Sequence, residues 1–143
     1  MYLLDTNVLS EARKIESGRA DPRVVSWFSM VSDVDLHISV LTLFEIQKGM
    51  LLKARRDAVQ ARQIQIWLSD WVRPAFEGRI IGLNEETALK AAELHVPDPR
   101  PLLDALIAAT ALIHGLTLVT RNTRDFRNTG VSLLDPFDAS SSD

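Results

Sequence analysis

Apolar residues along the chain fall into short solid runs separated by longer stretches with helical spacing. Tyr2-Leu3-Leu4 is the first run, closed by Asp5-Thr6-Asn7. A run without polar alternates reads as a strand buried on both faces, and the polar triplet after it as a turn able to cap a helix. Val8 to Glu11 continues as that helix, and Gly18 to Pro22 makes a loop. Val24, Val25, Trp27 and Phe28 give helical spacing over Pro22 to Met30, and Leu36 to Val40 is the next strand. From Leu41 to about Val72 the pattern predicts two helices joined near Arg55-Arg56-Asp57. Arg79 to Gly82 is a third strand, and Asn84-Glu85-Glu86 caps a helix that runs to Leu94. After the rigid Val96 to Pro101 connector, Leu102 to His114 is a helix stopped by Gly115, where a left-handed cap costs glycine little. Leu116 to Thr120 is a fourth strand and Val131 to Leu134 a fifth. Strands alternating with helices predict a parallel sheet of four or five strands covered by helices.

Composition narrows the classes. The chain has 143 residues, 46% of them hydrophobic and 24% charged, which suits one globular domain, expected over 1–137 with a disordered tail over 138–143. Cysteine is absent, which removes thiolate metal sites and cysteine nucleophiles together and fits a reducing compartment. The longest apolar stretch, Ala105 to Ile113, is well short of the roughly 18 residues of a membrane span. The N-terminus lacks a secretory pattern, so a cytoplasmic protein is expected. Sixteen Lys and Arg against 19 Asp and Glu leave a net charge of −3. Any contact with nucleic acid therefore needs a local patch or a bound cation.

The candidate chemistry lies in carboxylates. Asp5 follows a buried strand and so sits at its carboxyl end, where open α/β sheets bind ligands; its plainer role is to cap the next helix. Asp104 interrupts a helix that is apolar almost all round, and an unpaired buried carboxylate is costly. Its plainer role is a first-turn acid, but a helix dipole is worth only about 0.3–1 kcal/mol and does not offset burial of a charge. Glu45 lies between Phe44 and Ile46, with Lys48 available as an i+3 partner. Asn122 and Asp125 follow the fourth strand, with Arg121 and Arg124 available to pair with Asp125. Oxygen donors without Cys or clustered His favour Mg²⁺ or Mn²⁺, which could activate water and neutralise charge on a phosphodiester. His37, His95 and His114 are scattered, no Walker loop or GxGxxG motif occurs, and Trp67 and Trp71 at i, i+4 read as packing or partner contact.

Four segments, taken in order, carry a resemblance. Leu3-Leu4-Asp5-Thr6-Asn7-Val8-Leu9-Ser10-Glu11, Leu43-Phe44-Glu45-Ile46-Gln47-Lys48-Gly49, Leu103-Asp104-Ala105-Leu106-Ile107-Ala108-Ala109-Thr110-Ala111 and Leu118-Val119-Thr120-Arg121-Asn122-Thr123-Arg124-Asp125-Phe126 resemble the acidic motifs of PIN-domain ribonucleases. The spacing is similar to that of the short VapC-type bacterial toxins, and more closely to their FitB-like branch. The resemblance implies a three-layer α/β/α fold and Mg²⁺- or Mn²⁺-dependent cleavage of RNA. It places Asp5, Glu45 and Asp104 as the metal-binding triad, with Thr6, Asn7, Thr120 and Asn122 positioning substrate. Some relatives carry an acid where this chain has Asn122, whereas many have Asn there and Asp three residues on, as Asp125 is. Asp125 is accordingly taken as the outer carboxylate, and the choice between it and Asn122 stays open. The resemblance also implies a small cognate antitoxin and a homodimer. Two alternatives compete. A haloacid-dehalogenase-type phosphatase needs a second Asp where Asn7 stands. A catalytically lapsed PIN-like binding module would lack an acid that this chain keeps.

Overall fold

A computed structural model describes residues 1–138 of the chain; the expected tail lies outside the described residues from Ala139 on. Five strands form one sheet: β1 (Tyr2–Leu4), β2 (Leu36–Ser39), β3 (Ile80–Ile81), β4 (Thr117–Val119) and β5 (Leu133–Leu134). Their order is β3-β2-β1-β4-β5, and every neighbouring pair is parallel. The expected four- or five-stranded, mostly parallel sheet is thus five-stranded and parallel throughout. β1 is central: the chain runs outward from it through β2 to β3, then crosses back by way of α6 and α7 to β4 and β5 on the other side. That makes its carboxyl end the topological switch point of the sheet, the place where such folds open a crevice.

Leu3 and Leu4 are both completely buried and face opposite ways, which explains the absence of alternation in β1. Leu4 packs with Val8, Trp27, Ile46 and Val72, whereas Leu3 packs with Ile107, Ala108 and Leu118. Burying each leucine is worth about 2 kcal/mol. The first layer holds α1 (Thr6–Ala12), α2 (Pro22–Met30), α3 (Val40–Ala54), α4 (Ala58–Ile66) and the short α5 (Arg73–Ala75). The opposite layer holds α6 (Glu85–Glu93) and α7 (Leu102–His114). Small side chains bring α7 close to both its neighbours. Ala108 and Ala111 meet the sheet side, and Ala105 and Ala109 meet Ala91 of α6. Thr110 is buried among them and returns its hydroxyl to the Leu106 carbonyl at 2.7 Å, so no polar group is stranded. Gly115 caps α7 with φ +64°, as its position predicts.

Two boundaries differ from the sequence pattern. β2 ends at Ser39 rather than Val40, because the Ser39 hydroxyl accepts from Leu41 N at 3.0 Å and starts α3 one residue early. The helix expected to stop near Val72 continues to Ala75 through a π-helical turn, Trp67–Val72, in which Arg73 N bonds the Leu68 carbonyl. That turn separates the two tryptophans. Trp67 is half-buried against the core beneath Arg13, whereas Trp71 is exposed.

Arg79, just before β3, ties the first layer to the sheet. Its guanidinium donates to the carbonyls of Asp33, Leu36 and Ala75 and lies over the Phe76 ring. Substituting Arg79→Met leaves those carbonyls without their donor and should lower unfolding stability by about 2 kcal/mol in urea titrations. Arg79→Lys should recover only part of that loss, because an ammonium lacks the planar fork that reaches several acceptors at once.

Candidate active site

Asp5 stands at the carboxyl end of β1, where its amide donates to Val119 O of β4 at 2.9 Å. Its side chain also caps α1. Oδ1 accepts from Thr6 N at 2.8 Å, while Oδ2 accepts from the Thr120 hydroxyl at 2.8 Å and from Asn7 Nδ2 at 3.3 Å. The cap is therefore one of several roles, and only one carboxylate oxygen serves it. Thr120 is buried at the end of β4 and accepts in turn from Asn122 N at 3.0 Å. Asn7 Oδ1 accepts from Arg121 N at 3.3 Å, so α1 and the loop after β4 are clasped together.

Glu45 approaches from α3, one helical turn after its start. It does not pair with Lys48, whose ammonium lies over the Phe44 ring instead. The Thr6 hydroxyl donates to Glu45 Oε1 at 2.8 Å and lies 3.1 Å from the hydroxyl of Thr42, which is fully buried. Thr42 is the functional neighbour that sequence reasoning missed. Its one signal was a polar residue inside the apolar Leu41-Thr42-Leu43 run, three positions before Glu45.

Asp104, in the first turn of α7, is half-buried rather than fully enclosed. Among the described residues its carboxylate meets neither a hydrogen-bond donor nor a cation. Asp125 lies in a short 3₁₀ turn (Thr123–Phe126) and is exposed. It forms no ion pair with Arg121 or Arg124; Arg121 stacks over Phe137 at 4.5 Å. Asn122 joins the cluster through its backbone amide.

The electrostatics tie the four acids together. Burial raises the Asp5 carboxyl above its ordinary range, the bonds from Thr120, Thr6 and Asn7 partly counter this, and the charge of Asp125 adds to it. Glu45 is raised by burial and by Asp5, with the Thr6 bond and the charge of Lys48 opposing. Asp104 is raised by burial first, and then by Asp125, Asp5 and Glu45. The structure thus gathers Asp5, Thr6, Asn7, Glu45 and Thr120 by direct bonds, and Asp104 and Asp125 by proximity of charge. Among the described residues no three acids or histidines converge tightly enough to cage an ion outright. An oxygen-only, mutually repelling set of this looseness fits a small hard cation that keeps much of its own water.

Residues 2–131 match the family model described as the PIN domain. The chain belongs to the PIN-domain family. It is 32% identical over 144 residues to a VapC ribonuclease of Sinorhizobium fredii, covering 96% of this chain and 99% of that one. The crystal structure of FitAcB from Neisseria gonorrhoeae superposes with a TM-score of 0.85 at 30% identity, covering 96% of this chain and 99% of that one. A toxin–antitoxin complex from Klebsiella pneumoniae gives 0.65 at 28% identity, covering 96% and 99%. The α/β/α layering and parallel sheet of this PIN domain are those anticipated from the sequence.

The charge crowding has a measurable sign. A carboxyl whose pKa is raised on folding favours the folded state below its unfolded value, near 4, and that contribution is lost as the pH rises through the folded value. At neutral pH in EDTA, Asp104→Asn should therefore melt at or above the wild-type temperature, with the difference closing as the pH falls towards 4. A marked drop at neutral pH would assign Asp104 a structural partner instead.

Proposed function

We propose that this PIN domain is a Mg²⁺- or Mn²⁺-dependent endoribonuclease acting as the toxin of a toxin–antitoxin pair. The observation that carries the reading is a set of four carboxylates gathered at the switch point of a parallel sheet, with Asp5 and Glu45 held by neutral donors. Among the described residues no cation forms an ion pair with any of the four, so much of their charge is available to something else. Asp5, Glu45 and Asp104 would hold the metal, with Asp125 as an outer carboxylate. When bound, the metal supplies an activated water and neutralises charge on the phosphodiester.

The rest is done by this chain's own residues. Thr120 and Thr6 N fix the two oxygens of Asp5, so the carboxylate cannot rotate away. Thr6 orients Glu45, and Thr42 sits behind Thr6. Asn7 links Asp5 to the loop carrying Asn122 and Asp125, which places α1 and that loop to position the strand being cut. The ribonuclease and toxin–antitoxin relatives support this choice of chemistry and of partner.

Antitoxin recognition is assigned to an apolar pocket of about 410 Å³ between α1, α2 and the π-helical turn, lined by Leu9, Ile15, Phe28, Trp71 and Phe76. Trp71 is its exposed edge, and large aromatics in such positions dominate binding energy. The acidic cluster beyond it suits a basic side chain of the same partner. A second copy of the chain is proposed to complete a homodimer.

Cleavage of single-stranded RNA should cease in EDTA and return with Mg²⁺ or Mn²⁺. Asp5→Asn should reduce it by at least about 10³-fold while leaving the fold intact, a loss comparable to removing a principal charge-stabilising group. Full cleavage in chelator by a protein purified free of contaminating nuclease would reject the mechanism. Thr6→Val should lower kcat with a smaller effect on KM, because it releases Glu45 without removing a charge. For the partner, the protein encoded beside this chain should co-purify with it, and Trp71→Ala should weaken that complex by about 2 kcal/mol, roughly 30-fold in Kd. An unchanged Kd would move the interface elsewhere.

A further inference from the structure

A second depression begins at the acidic cluster itself. It is lined by Thr6 and Glu45 at one end and by Gly49, Lys53, Arg13 and Trp67 further along, with a volume of about 280 Å³. It runs into a wider one of about 620 Å³, with which it shares Ser10, Arg13, Gln60 and Ile64, and which adds Lys14 and Arg19. Together they form one groove leading from Glu45 between α1, α3 and α4. Its charge is unusual for an acidic protein. Among the described residues Arg13, Lys53 and Arg19 have no carboxylate within ion-pair distance, and only Lys14 is neutralised, by Glu11 at 3.1 Å. Arg13 is held over the Trp67 ring at 5.6 Å, so its guanidinium is steadied without losing its charge.

The opposite side of the cluster is cationic too. Arg121, Arg124 and Arg127 surround a shallow depression beside Asp125 on the loop after β4. β2, which leads into α3, and β4 flank β1 on opposite sides, so the acids lie between two positively charged walls. A polyanion crossing the sheet edge would meet a cation before and after the acidic centre. An apolar protein segment would find little here that the pocket beside Trp71 does not offer better.

We infer that the groove between α1, α3 and α4 holds the RNA strand on one side of the cleaved phosphate, with Arg13 and Lys53 as its phosphate-binding side chains. This rests on the ribonuclease reading and adds the strand's path to it. Arg55 and Arg56, at the α3–α4 turn, line neither depression and have no part in it. Gly49 opens the floor, since a Cβ there would meet nothing within 4 Å.

The test measures binding of a labelled single-stranded RNA oligonucleotide at several salt concentrations, together with its cleavage, for the full chain in Mg²⁺. The double substitution Arg13→Gln, Lys53→Gln should weaken binding roughly tenfold near physiological salt and flatten the slope of log K against log salt by about 1.4, or about 0.7 per lost phosphate contact. Arg13→Lys should restore most of the slope. Arg55→Gln, Arg56→Gln should leave both affinity and slope unchanged. Gly49→Leu, which keeps every charge, should also weaken binding, with a melting temperature equal to or above wild type because glycine is a poor helix residue. Wild-type affinity and slope in the Arg13, Lys53 variant, or an equal loss in the Arg55, Arg56 variant, would overturn the path while leaving the ribonuclease reading intact. Loss of affinity for the neighbouring gene product with RNA binding unchanged would make the groove a protein interface and overturn it as well. If the wild type neither binds nor cleaves RNA, the ribonuclease reading itself fails.

Discussion

Like charges at the edge of this sheet are held together by groups that do not neutralise them, and the rest of the site depends on that restraint. Asp5 is fixed by a backbone amide, a threonine hydroxyl and an asparagine amide, and Glu45 by another threonine hydroxyl. An arginine in any of those positions would orient a carboxylate at least as firmly, and would also cancel its charge. Hydroxyls and amides separate orientation from neutralisation. Asp5 and Glu45 are left aimed without an ion-pair partner, and the fold carries the cost of crowding like charges.

The same separation appears on a larger scale. Apolar surface and positive charge lie on different sides of α1. Leu9 and Ile15 look towards α2 and the π-helical turn, and Arg13 and Ser10 look towards α3 and α4. One short helix thus borders two openings of contrasting chemistry, with the acidic centre at its N-terminus. The π-helical turn sharpens the contrast. It sets Trp67 under Arg13 in one opening and Trp71 at the rim of the other, although four residues in a regular helix would place both on one face.

Much of this was legible in the chain because the relevant residues declare themselves locally. A solid Tyr2-Leu3-Leu4 run can only be a doubly buried strand, and the polar triplet after it must lie at that strand's end. Asp104 stood out because its helix has almost no other polar residue, and Gly115 because nothing else suits a left-handed cap so cheaply. What escaped was whatever depends on two distant residues meeting. The Thr6–Glu45 bond spans 39 positions and Thr120–Asp5 spans 115, and neither has a period or a motif. Thr42 looks like an ordinary threonine until Thr6 is placed beside it. Arg79 reads as the polar start of a strand, and its three carbonyl partners come from a turn, the first residue of β2 and a helix end that only the tertiary fold aligns. The choice between Asn122 and Asp125 was divided by the fold rather than decided by it: one enters through its backbone amide, the other through its charge.

The pairing of β1 with β4 has a consequence for the protein's birth. Leu3 lies opposite Leu118 in that ladder, and Thr120, just beyond it, completes the hold on Asp5. A chain emerging from the ribosome N-terminus first therefore carries Asp5 long before the strand that completes its hold exists. Parallel pairing over so many residues closes late and slowly. Until it closes, the acids belong to an unassembled surface without a defined site. An incomplete product ending before β4 would hold Asp5, Glu45 and Asp104 but lack the Thr120 hydroxyl that fixes the second oxygen of Asp5.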